Sequence, residues 1–155
     1  MEYSLPVKEE DFQRAVSDPR AHHGKTEHAI DFTLPEGTPI LAAADGVVRD
    51  MYMDSDEGGT DDKFRENINK YTNRITIRHN DGELSQYGHL KYKSQKVEVG
   101  DKVRKGDIIA FSGSTGYVTQ PHLHFQVITV LDKNGERDWE SLEINWDEPL
   151  EVLRR

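Results

Sequence analysis

The pattern His122-Leu-His124 constrains this chain more than any other stretch. It follows Pro121 and leads into Phe125, Val127 and Ile128, residue types that favour a strand. Side chains of a strand alternate between its two faces, so His122 and His124 share one face and Leu123 and Phe125 the other. The apolar pair suits a core and the histidine pair a cleft. Pro121 fits a strand's first position, where no ladder donor is needed. Gly113-Ser-Thr-Gly116 upstream signals a turn. Two imidazoles side by side on a rigid strand form half of a metal site. The same pattern also serves as the polar face of an ordinary antiparallel sheet.

With no cysteine among its 155 residues, the chain has neither a disulfide framework nor a thiolate metal site. Any metal must be held by His, Asp or Glu. A net charge of −9 argues against a nucleic-acid backbone or an anionic membrane as partner, since both attract clustered Lys and Arg. Only 34% of residues are hydrophobic and 32% are charged, so the core must be lean. The length suits one domain. No stretch approaches the ~18 consecutive apolar residues of a membrane span. The N-terminus, Met1-Glu-Tyr-Ser-Leu-Pro-Val7, lacks a basic region followed by an apolar run.

Residues 1–20 read as an N-terminal arm over the surface, with a short helix expected within 9–17. Thr38–Ala44 and Val47–Met53 read as strands flanking Asp45-Gly46, a hairpin signal. Residues 54–70 form a charged inserted loop rimming a cleft, its second half a helical turn. Asp54, Asp56 and Asp61 imitate the start of a calcium loop, but the glycine is misplaced and no bidentate Glu follows. Asn73–His79 alternates cleanly, turns at Asn80-Asp-Gly82 and returns through Glu83–Leu90. Two Gly-Asp turns follow, at Gly100 and Gly106. Short strands broken by turns at this spacing predict an all-β fold, a sandwich or barrel-like sheet. The main domain is placed at 21–131. Residues 132–155 form a C-terminal extension, with a turn at Asp132–Gly135, Trp139 and Trp146 packing on the sheet, and a frayed end from Pro149.

Asp31 lies between Ile30 and Phe32, an unusual place for a carboxylate unless it is paired or metal-bound. His22, His23 and His28 lie just upstream and offer a third ligand. Four ordered blocks then carry a resemblance. They are Ala29–Val48, Asn73–Gly82 with Tyr87-Gly-His-Leu90, Val99–Ile109 with Ser112–Gly116, and Pro121-His-Leu-His-Phe125. Residues 20–128 resemble peptidase family M23, the lysostaphin and LytM-like endopeptidases.

The resemblance implies an antiparallel two-sheet β fold, a sandwich or open barrel, with a groove and a zinc ion (Zn2+) on its floor. It implies Asp31 and His124 as zinc ligands and His89 and His122 as the catalytic pair. The family usually has His-x-x-x-Asp, but Glu27 stands four residues before Asp31 here. A second family version, His-x-Gly with the ligand nine residues before the Asp, matches His22-His-Gly24. His22 is therefore the expected third ligand, His28 the runner-up, Glu27 a distant third and His23 a bystander.

The implied activity is zinc-dependent hydrolysis of peptide bonds in bacterial cell-wall peptidoglycan, in a cross-link or stem peptide. Zinc would acidify a water and polarise the scissile carbonyl, with His89 and His122 orienting or deprotonating that water. The rival reading is a metal-free binding module that regulates another cell-wall hydrolase. A lipoyl-carrier hairpin at Val99–Ile109 lacks a central lysine tip, and only the paired histidines speak for a cupin-like barrel. Expected partners are peptidoglycan peptides and other cell-wall enzymes, with no nucleic acid and no membrane span. The expected location is periplasmic or extracellular, through a trimmed leader or a non-standard export route; a cytoplasmic location stays open.

Overall fold

The His122 strand is the longest of the molecule and lies in the middle of its main sheet. A computed structural model describes residues 1–154. In chain order the strands are β1 (Arg14–Ser17), β2 (Ile30–Thr33), β3 (Pro39–Leu41), β4 (Gly46–Tyr52), β5 (Gly58–Gly59) and β6 (Arg74–Arg78). There follow β7 (Leu84–Gly88), β8 (Lys102–Val103), β9 (Ile108–Phe111), β10 (Gly116–Tyr117), β11 (His122–Lys133), β12 (Glu136–Leu142) and β13 (Val152–Arg154). Two short helices, α1 (Asp62–Glu66) and α2 (Ile68–Tyr71), sit between β5 and β6. The all-β expectation from turn spacing holds, in an open sheet arrangement.

Nine strands form one sheet in the order β13-β1-β2-β11-β7-β6-β4-β8, with β12 also paired to β11. Two small pairs, β3 with β9 and β5 with β10, lie beside it. The first half of β11 pairs with β2, its second half with β12, and its middle with β7 on the other side. Period-two alternation sorts the residues of β11 as the sequence implied. Leu123 and Phe125 are fully buried, among Phe32, Ile40, Ile75 and Tyr87. Truncating a ring such as Phe125 to Ala in such a core costs about 3–5 kcal/mol. Trp146 covers this core, with ring centroids 5.7 Å from Phe125 and 6.2 Å from Phe32.

Three local expectations give way. The helix expected within 9–17 is a single 3-10 turn, Glu9–Asp11, followed by β1. Ala15 and Val16 are buried there, and the β-branched Val16 packs better on a pleated surface. Tyr3 and Val7 are also buried, so the first twenty residues contribute to the core. Asp45-Gly46 does not join a hairpin, because β3 pairs with β9 while β4 pairs with β6 and β8. Distant partners outcompete the local turn. The end from Pro149 is not frayed, since Val152–Arg154 pair in parallel with Ala15–Ser17.

Candidate metal centre

Register brings the centre together. His124 stands opposite Asp31 of β2 on one side and Gly88 of β7 on the other. His122, two residues earlier, rises from the same face and stands opposite Thr33. His22 arrives from the loop after β1, with its ring buried and 4.8 Å from that of His124, edge to face. His89 follows β7 directly, with its ring 4.6 Å from that of His122.

Asp31 Oδ1 is the focus of this cluster. It lies 3.4 Å from His22 Nε2, 3.4 Å from His124 Nδ1 and 3.7 Å from His122 Nε2. It is buried and makes no hydrogen bond. Burial alone would raise this carboxyl, but His124, then His122 and His22, outweigh it and hold its pKa at about 2. The ligand atoms of His22, Asp31 and His124 all lie within 4.8 Å of one another. Two donors at zinc bonding distances of about 2.1 Å in a tetrahedron are about 3.4 Å apart. The two Asp31 spacings match that value, and a His₂-carboxylate donor set is a known zinc set. The residues fit the ion.

His89 and His122 differ from these three. His89 Nδ1 lies 2.6 Å from the Thr115 carbonyl, and His122 Nδ1 lies 3.0 Å from the Gln120 carbonyl. A carbonyl only accepts, so each Nδ1 donates a proton there, and such a ring, when neutral, has its lone pair on Nε2. Burial, then the neighbouring rings of His122 and His124, push the His89 pKa down to about 3, so it is neutral near pH 7. Burial also lowers the pKa of His22, against the opposing pull of Asp31. His89 has φ of +64°, a left-handed backbone that few non-glycine residues adopt.

The other upstream candidates stay apart. His28 Nε2 is 4.0 Å from Glu27 Oε2, with Glu27 exposed and His28 half-buried. His23 is exposed. Asp54, Asp56 and Asp61 form no metal cluster among the described residues. The carbonyls of Thr115 and Gln120 were invisible to sequence reasoning, because a backbone acceptor has no residue signature.

The cluster lies on the floor of a groove of about 1210 Å³. Arg65 and Ile68 of the inserted segment and Trp139 of β12 also line it. Lys25 lies over the Trp139 ring at 5.5 Å.

The model of peptidase family M23 matches residues 25–137. The chain is similar to the glycyl-glycine endopeptidase ALE-1 of Staphylococcus capitis, 36% identical over 72% of this chain and 27% of that protein. It is similar to the peptidoglycan DD-endopeptidase ShyC of Vibrio cholerae, 34% identical over 80% of this chain and 27% of that protein. It thus spans about a quarter of the length of these relatives. Among solved structures, a zinc-containing peptidase from Vibrio cholerae superposes with a TM-score of 0.59 at 28% identity, over 82% of this chain and 36% of that one. The lysostaphin catalytic domain from Staphylococcus simulans superposes at 0.53 and 29%, over 89% and 84%. The matched span contains the Asp31 strand, the His89 turn and the His122–His124 strand, and the chain belongs to peptidase family M23.

Proposed function

We propose that this chain is a zinc-dependent endopeptidase acting on the peptides of bacterial cell-wall peptidoglycan, in a cross-link or a stem. The observation that carries the reading is the convergence of His22, Asp31 and His124 beside two histidines whose Nδ1 atoms each face a backbone carbonyl. In this reading His22, Asp31 and His124 hold the ion, and His89 and His122 are the catalytic pair. Zinc, when bound, supplies Lewis acidity toward a peptide carbonyl and acidifies water. His89 and His122 accept a proton at Nε2 and return it to the leaving amine, while their Nδ1 bonds keep each ring oriented. The groove positions an extended peptide over these rings. Such a substrate puts the site of action in the periplasm or outside the cell, alongside other cell-wall enzymes. No helix among the described residues is long and apolar enough to cross a membrane.

The test combines elemental analysis with peptide release from purified sacculi, for wild type, His22→Ala and His28→Ala. One zinc per chain with hydrolysis, both lost only in His22→Ala, upholds the reading. Loss only in His28→Ala moves the third ligand. A wild type that takes up no added zinc and cuts nothing makes the chain a binding module that regulates another hydrolase.

A further inference from the structure

One row of directly opposed residues crosses the sheet: Asp31, His124, Gly88, Arg74 and Tyr52. Opposed residues on antiparallel strands project from the same face, so Arg74 shares the face of the metal centre and lines the groove. Strands lie about 4.8 Å apart, which puts the backbone of Arg74 about 10 Å from that of His124. Gly88, between them, contributes no side chain, and a Cβ there would lie 3.5 Å from that of His124. The floor between metal centre and arginine is therefore clear.

Arg74 is held in place. Its Nη1 donates to the carbonyls of Asn69 at 3.3 Å and Thr72 at 3.0 Å. Its guanidinium lies 5.3 Å from the Tyr52 ring centroid. A guanidinium has five N–H donors, so these contacts leave several unused. No carboxylate pairs with Arg74 among the described residues.

The rest of the groove has the same sign, in a chain whose net charge is −9. Of its three lining carboxylates, Asp18 is bridged to Arg20, Asp138 to Lys25, and Asp31 belongs to the metal centre. Arg49, Arg65, Arg74 and Arg137 line it as well. Arg49 has only an exposed 3.9 Å contact with Asp50, and Arg65 bonds to the Tyr117 hydroxyl.

We propose that the groove takes a peptide carrying free carboxylates and that Arg74 binds one of them, about three extended residues from the bond being cut. This rests on the hydrolase reading above. An arginine fork matches a carboxylate bidentately, whereas a backbone of glycine alone offers it only neutral carbonyls, whose bonds are about half as strong. Among wall peptides the preferred substrates are therefore stems containing γ-linked glutamate, whose α-carboxylate is free.

The experiment uses two soluble cross-linked stem-peptide dimers, identical except that the γ-linked glutamate carboxylates are free in one and amidated in the other. The zinc-loaded wild type should show kcat/KM about 10- to 100-fold lower on the amide, as expected for one charged hydrogen-bonded contact. Arg74→Gln should lose that factor on the free acid and be unchanged on the amide, while Arg74→Lys should retain part of the preference. Equal cleavage of both dimers by wild type, or equal losses on both in Arg74→Gln, overturns the proposal. Should Arg74→Gln fail to fold, the wild type alone decides: added salt should slow cleavage of the acid and not the amide, and an equal response overturns the proposal. If wild type cuts neither dimer, the hydrolase reading falls and fluorescence anisotropy with labelled dimers decides the subsite. Tighter binding of the acid, lost in Arg74→Gln, upholds it; equal binding overturns it.

Discussion

Asp31 and His124 stand directly opposite each other on neighbouring strands, with Asp31 Oδ1 3.4 Å from His124 Nδ1. In this arrangement the sheet's own ladder fixes the spacing between two of the proposed ligands. Removing a group that merely orients a ligand costs about 10- to 100-fold in metal affinity, so losing a ligand costs at least that. Asp31→Ala is therefore expected to leave the purified protein without zinc, and competition with a fluorescent chelator gives the size of the loss. Stoichiometric zinc in Asp31→Ala would remove Asp31 from the ligand set.

The tautomers separate the histidines into two groups. His89→Ala and His122→Ala each remove a proton acceptor whose Nδ1 bonds to a backbone carbonyl. Hydrolysis should fall by about 10²–10⁴-fold with zinc retained. His124→Ala should lose both. Parallel elemental analysis and product release by mass spectrometry read the split; metal loss in His122→Ala would contradict it.

Gly58 docks the inserted segment. It pairs with Gly116, and a Cβ at Gly58 would fall 1.6 Å from the Ser114 carbonyl oxygen, where only backbone movement could relieve it. The neighbouring Thr115 carbonyl holds His89. Gly58→Ala should cost about 1–3 kcal/mol of stability. A shift of about 1 Å at His89 would lower hydrolysis by about 100-fold. Zinc content should stay normal, since His22, Asp31 and His124 lie elsewhere. Denaturant midpoints and rates together check this.

Tyr87 sets an alkaline limit. Its hydroxyl accepts from Ala43 N–H at 2.9 Å and lies 2.9 Å from Ser85 Oγ, fully inside the core. Burial pushes its pKa up to about 12, against these two hydrogen bonds. An unfolded tyrosine titrates near about 10. The folded pKa is the higher, so this contribution is complete below about pH 10 and is lost as pH rises toward about 12. Tyr3, raised by burial and by Glu83, acts in the same direction. Urea midpoints at about pH 9 and about pH 11.5 should drop steeply in wild type and less steeply in Tyr87→Phe. Equal slopes would assign the alkaline loss to other groups.

The face of His122 and His124 was legible because a period of two needs no knowledge of partners. Asp31 was legible as a carboxylate among apolar neighbours. What stayed hidden depends on pairing at a distance. Asp45-Gly46 has the letters of a hairpin, yet β3 and β4 take different partners. Tyr3 reads as polar tail but lies buried beside His79, with its hydroxyl bonded to Glu83. Arg74 looks like the solvent-facing member of an alternating strand. Only the register through Gly88 brings it onto the floor beside His124.

The left-handed backbone at His89 persists only because the ring it carries is tied into its surroundings. A residue with a Cβ in that region raises the folded state by about 1–2 kcal/mol relative to glycine. The ring reaches the Thr115 carbonyl and the His122 ring from that conformation. His89→Gly would relieve that strain, but it would also leave the Thr115 carbonyl without its donor, delete a buried ring and loosen the unfolded chain. The melting temperature should therefore not rise: the strained backbone and the ring that needs it are kept or lost together.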